Sequence, residues 1–185
     1  MKNDFVKLGG ILFIITFVVA LALGVANSVT KPKIEALEVK TKSDAVQKVI
    51  TGKIAENSAV KIELKNSTSV KEIMQYDLED GTKAYSAVCA PSGYAGEISM
   101  MVGFNEKLEV TGISILNMTE TPGLGMKAKD EGFIKQFIGK TGTIKVSKKG
   151  KAEDSIEAIS GATITSAAVT KGVNDAVSEL KEVAK

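Results

Sequence analysis

The sequence has no histidine and no arginine, and Cys89 is its single cysteine. Each gap closes a class of chemistry. Without histidine there is no Ser-His-Asp triad. One thiol and no imidazole leave no ligand set for a zinc site or an iron–sulfur cluster, so no metal is expected. A disulfide within the chain has no second partner. Lysine carries all the side-chain positive charge, and the formal net charge over 185 residues is only +2. No lysine cluster is interleaved with aromatic residues, so nucleic acid is not an expected partner. Cys89 lies in the apolar run Tyr85-Ser86-Ala87-Val88-Cys89-Ala90 and reads as a buried, inert thiol. No side chain is assigned a catalytic role.

What is present begins with a long apolar run. Leu8 to Ala26 is interrupted only by Thr16 and glycines. As a helix it would be about 28 Å long at ~1.5 Å per residue, close to the ~30 Å hydrocarbon core of a bilayer. The alternative is a cleaved signal peptide, with Ala20-Leu21-Ala22 as a cleavage site, but the run exceeds the usual apolar core of such a signal. A retained anchor is the expectation. No cysteine stands directly after the run, so it is not expected to be a lipoprotein signal. Lys2 and Lys7 precede it, and Lys31, Lys33, Lys40 and Lys42 follow. That count alone leaves the orientation open, because a long following domain translocates largely regardless of charge.

The length suffices for one anchor and one domain with a real core. Pro32 can open a helix at its first turn, and Ile34, Leu37, Ala45, Val46, Val49 and Ile50 predict one or two helical pieces to about Thr51. Short strands are predicted at Val60–Leu64, Val70–Leu78, Lys83–Cys89, Ile98–Phe104 and Val110–Leu116, with turn residues between them. Asp130–Ile138 reads as a helix with Phe133, Ile134 and Phe137 on one face. Thr143–Val146 reads as a strand and Lys148–Asp154 as a charged loop. The class is α+β: one transmembrane helix, then a small, mostly antiparallel sheet packed with helices.

Two stretches stand apart. Ile159-Ser160-Gly161-Ala162-Thr163-Ile164-Thr165-Ser166 precedes an amphipathic helix with Val169, Val173, Ala176, Val177, Leu180 and Val183 on its apolar stripe. Lys171, Asp175, Ser178, Glu179 and Lys181 fall on the other side. Ser166 or Thr165 is the expected N-cap. A helix start of this kind suits a phosphate, because its first N–H groups are free and its dipole favours an anion. The plain alternative is a turn with a cap. The second stretch is Glu120-Thr121-Pro122-Gly123-Leu124-Gly125. Pro122-Gly123 fits a type II turn with positive φ at the glycine, and Gly125 leaves room for close approach of a flat group. The GxGxxG spacing of a dinucleotide loop is absent. Gly93-Tyr94-Ala95-Gly96 reads as a hairpin turn.

Together these stretches, behind one N-terminal anchor, resemble the G subunit of Rnf-type electron-transport complexes. The related C subunit of the sodium-translocating NADH:quinone reductase shares the domain. The resemblance covers essentially the whole chain. It implies FMN joined by a phosphoester to the threonine of the Ser-Gly-Ala-Thr motif, here Thr163, by a separate flavin transferase. Ser160, Gly161, Ala162 and Thr165 around it, and Glu120, Thr121, Gly123 and Leu124 in the second loop, are then the expected cofactor-binding residues. Where the family's motif most often has aspartate, this chain has Glu157. Met118 stands where the family often has histidine, and it is given no role.

The implied division is a tail and anchor over residues 1–28, a helical stem over 29–56 and an FMN-binding domain over 57–185. The implied function is electron transfer within a membrane complex that couples ferredoxin and NAD to ion movement, with the large domain outside the cytoplasm. Other membrane subunits of that complex are the implied partners. The alternatives are the quinone-reductase C subunit, or an anchored flavin module outside any ion pump.

Overall fold

The computed structural model describes residues 2–65, 69–148 and 154–183, with side chains from residue 7 onward. Most of the predicted loop Lys148–Asp154 lies outside the described residues. The chain forms two compact units, Met1–Thr41 and Lys42–Lys185.

The first unit is helical. A single helix, α1, runs Lys2–Val49 and continues past the unit's end. Pro32 sits inside it instead of opening a new helix. Every large apolar side chain from Leu8 to Val29 is exposed. A helix that is apolar all round has no polar face to offer water, and this one is long and apolar enough to cross a membrane. The Thr16 hydroxyl donates to the Leu12 and Phe13 carbonyls at 3.0 Å. Its polar group is thereby satisfied within the helix.

The second unit is built on a five-stranded antiparallel meander in the order β1-β2-β3-β4-β5. The strands are β1 (Val60–Ile62), β2 (Val70–Asp77), β3 (Lys83–Cys89), β4 (Ser99–Asn105) and β5 (Val110–Asn117). Both faces are covered. On one, Ile73, Tyr85, Ala87, Cys89, Met100, Val102 and Phe104 pack with Val169, Val173, Val177 and Leu180 of helix α3 (Thr163–Val183). On the other, Tyr76, Leu78, Ala84, Val88 and Met101 pack with Ala45, Val49 and Ile50 at the end of α1. Coverage on both sides explains why β3 and β4 alternate so poorly in sequence.

Gly103 and Gly112 are directly opposed in β4 and β5, and they make the second face possible. A Cβ at Gly103 would overlap the Val49 carbonyl oxygen, and one at Gly112 would lie 2.9 Å from Val49 Cα. The two glycines form the notch that admits the end of α1, and the Thr111 hydroxyl donates to the Val49 carbonyl beside it.

The segment expected as one helix over Asp130–Ile138 is broken. A 3₁₀ turn at Gly125–Lys129, the four-residue helix α2 (Glu131–Ile134) and a second 3₁₀ turn at Lys135–Phe137 follow one another. Phe133 and Phe137 still face the core and meet edge to face at 5.4 Å. Strand β6 (Lys145–Ser147) pairs in parallel with β7 (Ser155–Glu157). Strand β7 is not expected from the sequence, because its three residues are too few for a periodic signal.

Glu179 departs from its expected place on the polar side of α3. It is 2 % exposed, and its carboxylate accepts from the Lys65 backbone N–H. Asp175 similarly accepts from the Ser69 hydroxyl at 2.6 Å. These two carboxylates fasten α3 to the chain entering β2. The polar side of the helix is thus partly an internal seam.

Candidate functional site

Helix α3 begins at Thr163, so neither Thr165 nor Ser166 is the N-cap. Ala162 holds that place: its carbonyl accepts the first helical bond, from Ser166 N at 3.0 Å. The apolar stripe starts later than the backbone helix, so the sequence pattern places the cap too far along the chain. Alanine has no side-chain acceptor, so it gives the orphan N–H groups of the first turn no cap of its own. Ser166 instead binds the incoming loop. Its hydroxyl accepts from Ile159 N at 3.0 Å and donates to the Ala162 carbonyl at 2.9 Å. Gly161, at φ +78°, makes the turn into the helix.

The two threonines of this turn differ sharply. Thr163 is exposed, whereas Thr165 is 1 % exposed and its hydroxyl donates to Glu120 Oε2 at 2.8 Å. Thr163 is thus on the surface, while the Thr165 hydroxyl is committed to Glu120.

The loop after β5 meets this helix start. Leu124 N donates to the Thr121 carbonyl at 3.2 Å, and Gly123 has φ +75°, as the type II turn requires. The turn at Gly93-Tyr94-Ala95-Gly96 is also present, closed by Gly93 N donating to the Gly96 carbonyl at 2.8 Å. It lies against the same loop.

These three segments enclose a cleft of about 490 Å³, a volume typical of cofactor sites. Thr163, Gly161, Ala162 and Thr165 line it from the helix start, and Glu120, Thr121, Leu124 and Gly125 from the loop. Ser160 and Gly123 do not line it. Ser160 is exposed in the turn, and Gly123 shapes the loop from open space. Three further lining residues, Tyr94, Gly125 and Ile164, were not among the expected cofactor-binding residues. Tyr94 is 70 % exposed, Ile164 56 % and Leu124 43 %, so the mouth of the cleft carries an apolar rim. An exposed aromatic in a predicted hairpin turn was the one available signal for Tyr94. Met118 is buried in the core. Cys89 is buried as expected, and desolvation pushes its thiol up to about 12, which leaves it unreactive.

The arrangement fits a flavin nucleotide. First-turn N–H groups and the helix dipole favour a phosphate beside Thr163. The apolar rim suits a flat ring.

The model of the FMN-binding domain family matches residues 93–178, which include all three segments. The G subunit of the Na(+)-translocating ferredoxin:NAD(+) oxidoreductase complex of Acetobacterium woodii is 35 % identical over 97 % of this chain and 93 % of its own. The G subunit of the ion-translocating oxidoreductase complex of Shewanella oneidensis is 28 % identical over 96 % of this chain and 90 % of its own. Among solved structures, the C subunit of the Na(+)-translocating NADH-quinone reductase from Parabacteroides distasonis shares the fold. Its TM-score is 0.55 at 22 % identity, over 78 % of this chain and 81 % of that one. The chain belongs to the G-subunit family of Rnf-type ion-translocating oxidoreductase complexes, and it carries an FMN-binding domain.

Proposed function

We propose that Thr163 carries FMN through a phosphoester between its Oγ1 and the flavin phosphate. The observation that carries this reading is the contrast within the helix start: Thr163 opens into the cleft while Thr165 is buried on Glu120. FMN, when bound, supplies the electron-accepting and electron-donating chemistry that no side chain here possesses. The first turn of α3 holds the phosphate, and Leu124, Tyr94 and Ile164 cover the ring and exclude water. A covalent tether keeps the cofactor on a domain that faces a compartment without free flavin.

On this reading a flavin transferase loads the chain, and the anchor in α1 holds it beside the other membrane subunits of its complex. The domain faces away from the cytoplasm, and the complex passes electrons between ferredoxin and NAD while moving an ion. The G-subunit relatives support this over a role in quinone reduction, since they match nearly the full length. The test is denaturing gel electrophoresis of membranes, read by flavin fluorescence. The wild-type band should fluoresce and the Thr163→Ala band should be dark. A fluorescent Thr163→Ala band would contradict the proposal.

A further inference from the structure

Glu120 lines the cleft, yet it is poorly suited to hold the flavin phosphate. An ionised carboxylate and a phosphodiester are both acceptors only, so neither can donate to the other. The carboxylate is also already engaged. Oε1 accepts from the backbone N–H of Tyr94 at 2.7 Å and of Ala95 at 3.1 Å, and Oε2 accepts from the Thr165 hydroxyl at 2.8 Å. The side chain is 4 % exposed, and none of the ion pairs among the described residues includes it. Backbone and hydroxyl dipoles solvate this charge. Such charge-assisted bonds are stronger than neutral ones and costly to leave unmade.

Two glycines are shaped to this carboxylate. A Cβ on Gly93 would overlap Glu120 Oε1 and lie 2.9 Å from both the Gly96 carbonyl oxygen and Ile98 Cδ1. A Cβ on Gly125 would lie 2.5 Å from Oε2 and 2.8 Å from the Thr165 hydroxyl. The room that Gly125 provides is filled by Glu120 and Thr165, not by a ring. One side chain thus joins the 93–96 turn, the 120–125 loop and the first turn of α3.

We infer that Glu120 is the positioning residue of the flavin site: it clamps the apolar rim around Thr163 and holds Thr165 inward, without touching the flavin. The inference rests on the assignment of FMN to Thr163. Glutamine can keep all three bonds, because its oxygen accepts from Tyr94 and Ala95 and its NH₂ donates to Thr165. Alanine keeps none.

The test uses the full chain, made with its flavin transferase and purified from membranes in detergent. Covalent flavin is read on denaturing gels, and ring exposure is read in the folded chain by iodide quenching and fluorescence anisotropy. Pockets of this kind bury most of a ligand's surface, so loss of the clamp should raise quenching about threefold and lower the anisotropy. Glu120→Ala should retain flavin on Thr163 but show this exposed, mobile ring. Glu120→Gln should match the wild type. Gly93→Ala adds a single methyl group and should resemble Glu120→Ala; it decides the matter if Glu120→Ala does not fold. Wild-type quenching and anisotropy in folded Glu120→Ala or Gly93→Ala would overturn the inference, as would a Glu120→Gln variant as mobile as Glu120→Ala. Absence of flavin from Thr163 in the wild type overturns the assignment beneath it, and the gel shows that separately.

Discussion

At Thr163 and Thr165, two positions apart, the same hydroxyl has opposite prospects. Thr163 opens to the cleft, and Thr165 is sealed against Glu120. Thr163→Ala should therefore not shift the flavin to Thr165, and peptide mapping of that variant should find no flavin on residues 160–166. Thr165→Val should keep flavin on Thr163 but leave Glu120 Oε2 short of one donor, at a cost of about 1–3 kcal/mol. Its thermal midpoint should fall; an unchanged midpoint would show that the bond contributes nothing. The positive φ of Gly123 was legible, because a Pro-Gly pair carries a local signal. The packing of Gly93 and Gly125 against Glu120 was not. It depends on a contact between Tyr94 and Glu120 across 26 positions of sequence, which local pattern does not encode.

Among the elements, α3 does more than its amphipathic stripe announces. Asp175 ties it to Ser69 and accepts from Lys171 one turn earlier on the same helix. Burial pushes this carboxyl up, but the hydrogen bonds from Lys171 and Ser69, with the lysine's charge, outweigh that and hold it below the ordinary 3.8. A depressed folded-state value contributes stability that is present above the unfolded value of about 3.9 and lost as pH falls through the folded one. The stability gap between wild type and Asp175→Asn should hold steady from neutral pH to about 5, and then narrow on acidification below ~4. Denaturation midpoints across that range check it, and a gap that widens in acid would refute the assignment. The notch at Gly103 and Gly112 makes a second prediction. Gly103→Ala drives a methyl group into the Val49 carbonyl and should cost about 1–3 kcal/mol, measured by denaturant unfolding of the full chain. Strands β2 to β5 were readable from their turn residues and apolar runs. The broken segment around α2 was not, because Phe133 and Phe137 satisfy a helical spacing whether or not the backbone stays regular.

For the whole molecule, the apolar helix, the covered sheet and the cleft belong to one electron-transfer subunit of an Rnf-type complex. The apolar length of α1 was evident from sequence, while the side of the membrane was not, because flanking lysines do not decide it. The proposed topology predicts that protease added to intact cells with a permeabilised wall cuts the domain; protection until the membrane is broken would reverse it. The central claim is the bond at Thr163, and the most direct measurement is tandem mass spectrometry of the peptide spanning Ser160–Ser166 from the chain in its native membrane. A phosphoester at Thr163 makes the peptide heavier by one FMN less one water, with the added mass confined to that residue. An unmodified peptide, or the added mass on any other residue, would contradict it.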